Sequence, residues 1–334
     1  MSKIFGAHIP TEIKNLAING GLDFWQAVGS ATTTANTAAT VNGYTADMIA
    51  YLSIGSTVKN YSILQSTNVP TITQSGFQSS YSYLFNMITA IPTFAAGDAI
   101  EPFRYNMEGF DFAKITSKLI TVGFWMIASV AGTYSISFSN NIYTRSYVTT
   151  FTMNGANTYQ FVTVTIPLDS QTSSYTFTNS ATFSVVIAGL AGSTYQTAVL
   201  NTWATGTFIS ATTVTNYAAT AGASFNIAQF SITEGPLGFS SIGFQKTGKT
   251  IQQELAMCQR YFCTVFATNS SPLPVYFNRY FPTPMRTIPT ITVISGSTGN
   301  ADIQSVNISQ WRSPNGVACT TGPTDFIISA DARM

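Results

Sequence analysis

Charged residues are scarce in this sequence. Asp, Glu, Lys and Arg make up 8% of its 334 residues, against about 25% in an average soluble domain, and the formal net charge is +1. Nucleic-acid binding draws much of its affinity from clustered Lys and Arg, whereas the 14 basic residues here are scattered, with no run of three. We therefore expect no nucleic-acid partner, and a surface on which Ser, Thr, Asn and Gln replace charged side chains.

Long apolar runs are lacking as well. The best candidate, residues 119–130, is interrupted by Thr121, Gly123 and Ser129 and is shorter than the ~20 apolar residues that a membrane-spanning helix needs. The first ten residues contain no apolar core of a secretion signal. Disorder does not fit either, because 45% of the residues are hydrophobic and 13% are aromatic. The sequence indicates a folded protein without membrane insertion or a signal peptide.

Residue types that carry catalysis or bind metals are few. The only histidine is His8, in the N-terminal arm, so the body of the chain lacks the base of a serine or cysteine triad. There are three cysteines, Cys258, Cys263 and Cys319. They form no metal-ligand spacing with His8, and their odd number without a signal peptide predicts free thiols. We expect no metal site and no cofactor.

The densest acidic group is Glu101, Glu108 and Asp111. A glycosidase needs two carboxylates that face one cleft. Glu108 and Asp111 more often mark a turn before a strand, so we predict that the protein is not an enzyme.

Alternating apolar residues predict strands between residues 116 and 232. The alternating sets are Ile120, Val122, Phe124 and Met126; Tyr134, Ile136 and Phe138; Val162, Val164 and Ile166; and Phe183, Val185 and Ile187. Phe225 and Ile227 are followed by Phe230 and Ile232 on the opposite phase, which predicts a β-bulge. Short strands at near-even spacing predict a mainly β protein with a jelly-roll β-sandwich.

The flanking regions complete this organisation. Residues 30–40 are low in complexity and are interpreted as a surface loop or an extended segment packed on a neighbouring subunit. Residues 44–64 and 79–91 look like further strands. We predict that residues 1–236 form an N-terminal arm plus a jelly-roll domain resembling a carbohydrate-binding module.

A short helix and a small β domain are predicted for residues 237–334. Thr250 and Gln253 form a capping box. An apolar stripe of Ile251, Leu255 and Cys258 follows, and the helix should end near Arg260. Beyond it, residues 262–266, 275–280, 290–294 and 326–329 are predicted strands.

Three segments carry a family resemblance. Residues 15–26 are N-L-A-I-N-G-G-L-D-F-W-Q, and residues 107–112, M-E-G-F-D-F, precede G-F-W at 123–125. Residues 254–262 are E-L-A-M-C-Q-R-Y-F, and residues 281–290 are F-P-T-P-M-R-T-I-P-T. The first and third segments resemble a family of tailed-bacteriophage virion proteins, tail-fibre or tail proteins with the strings E-L-x-x-C-Q-R-Y-Y and P-M-R-x-x-P-T. The second is similar to a strand pair of jelly-roll carbohydrate-binding modules.

The resemblance implies a non-enzymatic structural and adhesive protein of the virion, assembled in the host cytoplasm. We expect a tail-fibre or tail-tip component that forms a homo-oligomer, with a homotrimer as the working hypothesis. Its expected partners are other virion proteins and host surface polysaccharide. Because the resemblance begins within the first twenty residues, we expect no long shaft or separate anchor domain. The alternatives are a capsid decoration or head-fibre protein, a glycan depolymerase, and a cellular carbohydrate-binding module.

Carbohydrate sites on β-sandwiches combine an aromatic platform with side chains that hydrogen-bond sugar hydroxyls. Trp203 lies in N-T-W-A-T-G, and Trp311 precedes Arg312 and an S-P-N-G turn. Arg145 lies in the segment Y-T-R-S-Y between two tyrosines. The predicted ligand-binding residues are therefore Trp203, Trp311, Arg312, Tyr143, Arg145 and Tyr147.

The family motifs also supply structural candidates. Trp25 and Trp125 occupy predicted strand positions and should lie in the core. The planar guanidinium of an arginine can bridge a carboxylate or several carbonyls in a buried contact. We expect Arg260 with Tyr261, and Arg286, to dock the helix onto the C-terminal sheet or to join protomers.

Overall fold

Strands form most of the regular structure. The computed structural model describes residues 13–27, 34–115, 118–236, 238–248, 250–269, 278–295, 304–312 and 324–334, so His8 and Cys319 lie outside the described residues. Up to residue 236 the strands are β1 (Thr34–Asn36), β2 (Val41–Tyr44), β3 (Ile49–Ile54), β4 (Tyr61–Ser66), β5 (Ser82–Met87), β6 (Ala99–Glu108), β7 (Leu119–Ala128), β8 (Gly132–Asn140), β9 (Arg145–Met153), β10 (Gln160–Pro167), β11 (Ala181–Ile187), β12 (Leu190–Ala191), β13 (Gln196–Thr197), β14 (Trp203–Thr205), β15 (Ser210–Ala211) and β16 (Ser224–Glu234). One-turn helices occur at α1 (Ile72–Ser75) and α2 (Gly109–Phe112), and 3₁₀ turns at Thr172–Ser174 and Tyr217–Ala219.

Two antiparallel sheets form a sandwich. The first sheet has the order β1-β4-β5-β16-β7-β10, and the second has the order β14-β9-β8-β11-β6-β3-β2, with β12 also paired to β6. Strands β13 and β15 form a separate parallel pair. The predicted fold class, a mainly β protein with a β-sandwich, is confirmed.

The sandwich core lies between the inner faces of these sheets. The predicted alternating residues Ile120, Phe124, Ile136 and Phe138 are all fully buried there. Aromatic rings fill much of the space, and Phe85 stacks on Phe225 with ring centroids 5.2 Å apart. Two-residue periodicity therefore identified the inward-facing side chains correctly.

The phase change in β16 is a β-bulge, as predicted. The pairing of β16 with β7 shifts register between Ala228 and Ser231. Gln229 lies in this interval with φ of 53°, and its side-chain amide donates to the hydroxyls of Ser75 and Ser79, each at 2.9 Å. Because of the bulge, Phe225 and Ile227 before it and Phe230 and Ile232 after it are all buried in the core.

Two long strands of the second sheet, β6 and β9, were not predicted from the alternation, nor were the short strands β12 and β14. In β6, Pro102 interrupts the pattern, and it lies where the pairing with β3 shifts register between Ala50 and Leu52. A proline lacks the N–H of a regular ladder and is tolerated at such an irregularity. In β9, the apolar Val148 lies on the opposite face from the inward-facing Tyr147, and the polar Thr149 takes the next position on the face of Tyr147, so the apolar period is obscured.

The helix α3 (Ile251–Gln259) has the predicted capping box. The hydroxyl of Thr250 accepts from the N–H of Gln253 at 3.2 Å, and the Gln253 side chain accepts from the N–H of Thr250 at 3.1 Å. The predicted apolar stripe is wrong at Ile251, which is 45% exposed. Cys258 of the predicted stripe is buried, and so is Glu254, because the backbone N–H groups of Asn19 and Gly248 donate to the Glu254 carboxylate.

The C-terminal strands form two small sheets. They are β17 (Phe262–Asn269), β18 (Asn278–Tyr280), β19 (Thr290–Ser295), β20 (Gln304–Asn307), β21 (Gln310–Arg312) and β22 (Thr324–Asp331). The sheet orders are β17-β22-β19 and β18-β21-β20. Their shared core contains Cys263, Phe281, Met285, Trp311, Ile328, Ala330 and Ala332.

The helix packs on the sandwich as well as on the C-terminal sheets. Cys258 and Tyr261 belong to the sandwich core, whereas Cys263 belongs to the C-terminal core. Strand β16 ends at Glu234, next to the predicted domain boundary at residue 236, but apolar packing continues across it. Cys258 and Cys263 are buried free thiols, as predicted.

Candidate functional site

An open cleft lies between the second sheet of the sandwich and the C-terminal sheet β17-β22-β19. Its volume is about 630 Å³. The residues that line it are Ala27, Asn42, Tyr44, Phe262, Thr290, Thr292, Ser329, Asp331, Arg333 and Met334. The lining combines two aromatic rings with hydroxyl, amide and charged groups from segments far apart in sequence.

Strand pairing explains why these side chains meet. In β2, Asn42 and Tyr44 pair with Leu52 and Ala50 of β3 and so lie on the outer face of the sandwich. In the C-terminal sheet, Asp331 of β22 pairs with both Phe262 and Thr290. Residues at paired positions share a face, so the cleft has one wall from each part of the protein.

Arg333 is the central residue of the cleft. Its guanidinium lies 4.4 Å from the ring centroid of Tyr44 and 4.2 Å from that of Phe262. It also forms a two-point pair with Asp331, with Nε to Oδ1 at 3.0 Å and Nη2 to Oδ2 at 2.5 Å. Stacking on aromatic faces and two-point carboxylate binding are contacts that a planar guanidinium makes and an ammonium does not. Arg333 therefore joins the two walls.

The charges of the cleft balance. Asp331 and Arg333 are the two charged residues of the lining, and they pair with each other. Burial raises the pKa of the Tyr44 phenol, so this group stays neutral. Thr290, Thr292 and Asn42 add exposed hydroxyl and amide groups. Such a surface offers hydrogen bonds to an uncharged, hydroxyl-rich ligand without a net field.

Glu108, at the end of β6, anchors the C-terminal region beside the cleft. Its Oε1 lies 2.6 Å from Nη2 of Arg260, and its Oε2 accepts from the phenol of Tyr261 at 2.7 Å. Glu108 is 2% exposed. Burial, followed by the hydrogen bond to Glu108, raises the pKa of Tyr261. The side chains of Arg260 and Tyr261 thus dock the end of α3 onto the sandwich strand β6, and not onto the C-terminal sheet as expected.

Arg286 makes a second junction. Its backbone N–H donates to Arg260 at 2.7 Å, and its Nε donates to the carbonyl of Ala332 at 2.9 Å. Nη1 donates to the carbonyl of Asn179 in the sandwich, whose side-chain amide donates back to the Arg286 carbonyl at 3.1 Å. The guanidinium of Arg286 therefore connects the sandwich with the C-terminal segment, and its backbone N–H adds a contact with the end of α3.

The N-terminal segment, residues 15–26, also makes structural contacts. The side-chain amide of Asn19 donates to the carbonyls of Phe24 and Asp47, each at 2.9 Å. The Glu254 carboxylate accepts from the N–H of Asn19 at 2.5 Å. Asp47 accepts from the backbone and side chain of Gln26 at 3.0 and 2.5 Å. This network holds the N-terminal segment between the sandwich and α3.

The predicted ligand residues around Arg145 form an edge contact instead. Arg145 is 9% exposed and binds Asp169 through Nε at 2.8 Å and Nη2 at 3.0 Å. Tyr147 is 4% exposed and lies in the core. The prediction that these two side chains are open to a ligand is wrong, because Arg145 begins β9 and the next inward-facing position is Tyr147. Tyr143 precedes β9 and has a φ of 53°. The guanidinium carbon of Arg104 lies 4.8 Å from the centroid of its ring.

The predicted exposure of Trp311 is also wrong. Trp311 lies on the central strand of the sheet β18-β21-β20 and is fully buried, because its side chain packs in the C-terminal core with Phe281, Met285 and Ile328. The side chain of its neighbour Arg312 lies outside the described part of the structure. Trp203 is half-buried, donates from Nε1 to the carbonyl of Pro167 at 2.8 Å and packs against Tyr147.

The two motif tryptophans are buried. Trp25 is 5% exposed and stacks near Tyr83 with centroids 6.0 Å apart, and its Nε1 donates to Leu22 at 2.9 Å. Trp125 is 6% exposed and packs against Phe161. Neither ring is available as a platform.

Sequence reasoning missed the residues that line the cleft. The alternation of Thr290 and Thr292 marks one polar face of a strand, and Asp331 with Arg333 two positions later is a local acid–base pair in the sequence. These were the available signals. The contact of Tyr44 with Arg333 spans nearly the whole chain, and no local pattern reports it.

A second cavity of about 290 Å³ lies near α2 and α3. Its lining includes the carboxylates Asp111 and Glu234 and the lysines Lys14 and Lys114. Asp111 is paired with Lys114 at 2.7 Å in an exposed position. Among the described residues no group of three or more His, Cys, Asp or Glu side chains could hold a metal ion. No helix in the described ranges is long and apolar enough to cross a membrane.

No family model matches the sequence, and no curated protein matches it. Solved structures that match include the enzymatically active domain of tailspike protein 4 from bacteriophage CBA120, with a TM-score of 0.31 and 13% identity over 65% of this chain. This chain spans 21% of that tailspike chain. TmCBM61 in complex with β-1,4-galactotriose matches with a TM-score of 0.33 and 9% identity, over 66% of this chain and 99% of that one. A CBM4 structure matches with a TM-score of 0.26 and 9% identity, over 52% of this chain and 86% of that one.

Proposed function

We propose that this chain is a non-enzymatic structural and adhesive protein of a tailed-phage virion, a tail-fibre or tail-tip component. In this proposal it binds a host surface glycan in the cleft between the sandwich and the C-terminal sheet. The observation that carries the binding role is the cleft itself. It is open, about 630 Å³ in volume, and its two charged residues are paired. The placement in a virion rests on the sequence motifs at residues 15–26, 254–262 and 281–290.

The chemistry of the lining favours a sugar over other small ligands. Nucleotides and other anions need unpaired basic groups, whereas Arg333 is already paired with Asp331. A purely apolar ligand would leave the hydroxyls of Thr290 and Thr292 without partners. A neutral saccharide supplies hydroxyls to these groups.

Glycan binding is tested on an array of neutral and uronic-acid-containing oligosaccharides of one to eight residues. We expect the wild type to bind a neutral oligosaccharide. The double variant Thr290→Ala/Thr292→Ala removes two exposed hydroxyls of the cleft and should lower affinity about 10-fold. Thr163→Ala is the matched control, since Thr163 is an exposed strand residue on β10 at the opposite sheet edge. Equal affinity in the double variant and the wild type would contradict the cleft as the binding site.

The depolymerase alternative has one structural feature in its favour, the pair Asp111 and Glu234 in the second cavity. Purified protein is incubated with host polysaccharide, and the size distribution is followed by chromatography. We expect no shorter products. Products that appear with the wild type and disappear with Asp111→Asn would establish the enzyme instead.

The position and assembly of the chain are tested on particles and in solution. Antibody labelling of intact virions should place the chain on the tail, and labelling of the capsid would favour a decoration or head-fibre protein. Sedimentation at micromolar concentration should give three chain masses. A single chain mass would count against the homotrimer.

A further inference from the structure

One face of the sheet β17-β22-β19 continues from the cleft to the outer end of the C-terminal region. The register places Phe262, Asp331 and Thr290 side by side in one row. The next row on the same face contains Thr264, Ser329 and Thr292. The third row pairs Phe266 with Ile327. The first two rows contribute to the cleft floor, and the third lies beyond it.

The chemistry changes from row to row. The first row holds the carboxylate that pairs with Arg333, and the second row consists of three hydroxyl residues, of which Thr292 is exposed and Ser329 is buried. In the third row Phe266 is 72% exposed. The opposite face of the same strands supplies the C-terminal core, where Cys263, Ile328 and Ala330 are fully buried. The Phe266 ring therefore lies outside the C-terminal core.

The distance between these features bears on ligand size. Phe262 and Phe266 are four residues apart on one strand without a register shift, which corresponds to about 13 Å at 3.3 Å per residue. A monosaccharide in the first row would not reach the Phe266 ring. A chain of several sugars could contact the charged pair, the hydroxyl row and the exposed ring together.

We infer that the cleft and the outer face of β17 form one extended groove for a neutral glycan chain of several sugar residues, with Phe266 as its aromatic platform. This inference rests on the proposed glycan-binding function. The groove is continuous with the cleft, and in these three rows and the described lining of the cleft the charged residues, Asp331 and Arg333, neutralise each other. Uncharged sugar rings stack on aromatic faces, while acidic chains would place unpaired carboxylates beside Asp331.

The test compares affinity with chain length. The best neutral ligand from the array is prepared as fragments of one to eight residues and titrated calorimetrically against the wild type, Phe266→Ala, Phe266→Trp and Tyr280→Ala. Tyr280 is the matched control, because it is 71% exposed in the same region but lies on β18 of the other sheet. We expect wild-type affinity to increase with length. Phe266→Ala should lower the affinity for long chains about 3- to 10-fold and leave the shortest fragments unchanged. Phe266→Trp should restore it, and Tyr280→Ala should have no effect.

Other outcomes separate this inference from the proposed function. If the wild type binds no saccharide on the array, both are overturned. If it binds through Thr290 and Thr292 but Phe266→Ala has no effect, or if it prefers uronic-acid chains, the extended neutral groove alone is overturned. If Phe266→Ala changes the sedimentation mass and leaves glycan affinity unchanged, Phe266 belongs to a contact between copies of the chain, and the groove is likewise overturned.

Discussion

Tyr261 donates its phenolic hydrogen to Glu108 at 2.7 Å and so ties the end of α3 to the last residue of β6. The other carboxylate oxygen of Glu108 pairs with Arg260 at 2.6 Å. Both oxygens of a buried carboxylate are therefore used across the junction of the two regions. Loss of either partner leaves a buried polar group unsatisfied, which is costly.

Glu108→Gln should lower the free energy of unfolding by about 2–3 kcal/mol. The glutamine amide has one acceptor oxygen and one donor nitrogen, so it cannot accept from both Arg260 and Tyr261. Denaturant unfolding measures the change. Tyr261→Phe, which removes one hydrogen bond, should cost about 1–2 kcal/mol. If the double variant loses the sum of the two single effects, Glu108 and Tyr261 do not stabilise the fold through their shared hydrogen bond.

Arg286→Ala should loosen the C-terminal region more than the sandwich. The guanidinium binds carbonyls on both sides of the junction, including Asn179 and Ala332, and hydrogen bonds from charged donors contribute about 1.5–3 kcal/mol. Hydrogen exchange should become faster in β19 and β22 while β7 and β16 stay protected. Arg286→Lys is the matched variant that keeps the charge. Full rescue by lysine would show that the planar fork is not required.

Asp47 should make stability depend on pH. Burial raises the pKa of its carboxyl to about 6 against a reference of 3.8, despite the hydrogen bonds from Gln26. Between about pH 4 and 6 the folded state therefore binds more protons than the unfolded state, and the free energy of unfolding falls as the pH rises. The contribution is up to about 3 kcal/mol for a shift of this size.

The Asp47 effect is isolated by comparison with Asp47→Asn, measured by unfolding from pH 4 to pH 7. As the pH rises from 4 to 7, the free energy of unfolding of the wild type should fall relative to that of Asp47→Asn. Burial also raises the pKa of Glu101 and Glu254, but both groups are present in both proteins and cancel. A difference that is flat over the window would rule out a raised pKa at Asp47.

The sequence predicted local features better than long-range ones. The phase change from Ile227 to Phe230 predicted the bulge in β16, and Thr250 with Gln253 predicted the start of α3. These signals depend on backbone geometry within a few residues. The strand β6 was missed because Pro102 at a bulge disrupts the pattern that its neighbours would otherwise show.

Side-chain exposure was the weakest part of the sequence-based prediction. Trp311 is next to a turn motif in the sequence but is buried by packing in the C-terminal core. Arg145 is covered by Asp169, which lies 24 residues further along the chain. The cleft depends on contacts of Arg333 with Tyr44 and Phe262 that only the folded chain brings together. Packing between distant segments decides exposure, and periodicity reports only which face a residue occupies.

Trp203 is a predicted ligand residue, but its contacts in the structure stabilise the sandwich. It lies on β14 at the edge of the second sheet, and its Nε1 donates to Pro167 at the end of β10 in the first sheet. Arg145 and Asp169 span the same edge, so these contacts close the sandwich there. Trp203→Phe keeps the ring against Tyr147 and removes the hydrogen bond, which should cost about 1 kcal/mol in unfolding free energy. Glycan affinity should stay at the wild-type value, since Trp203 is not part of the cleft lining. A fall in affinity without a loss of stability would instead identify Trp203 as a ligand contact and move the binding site to this edge.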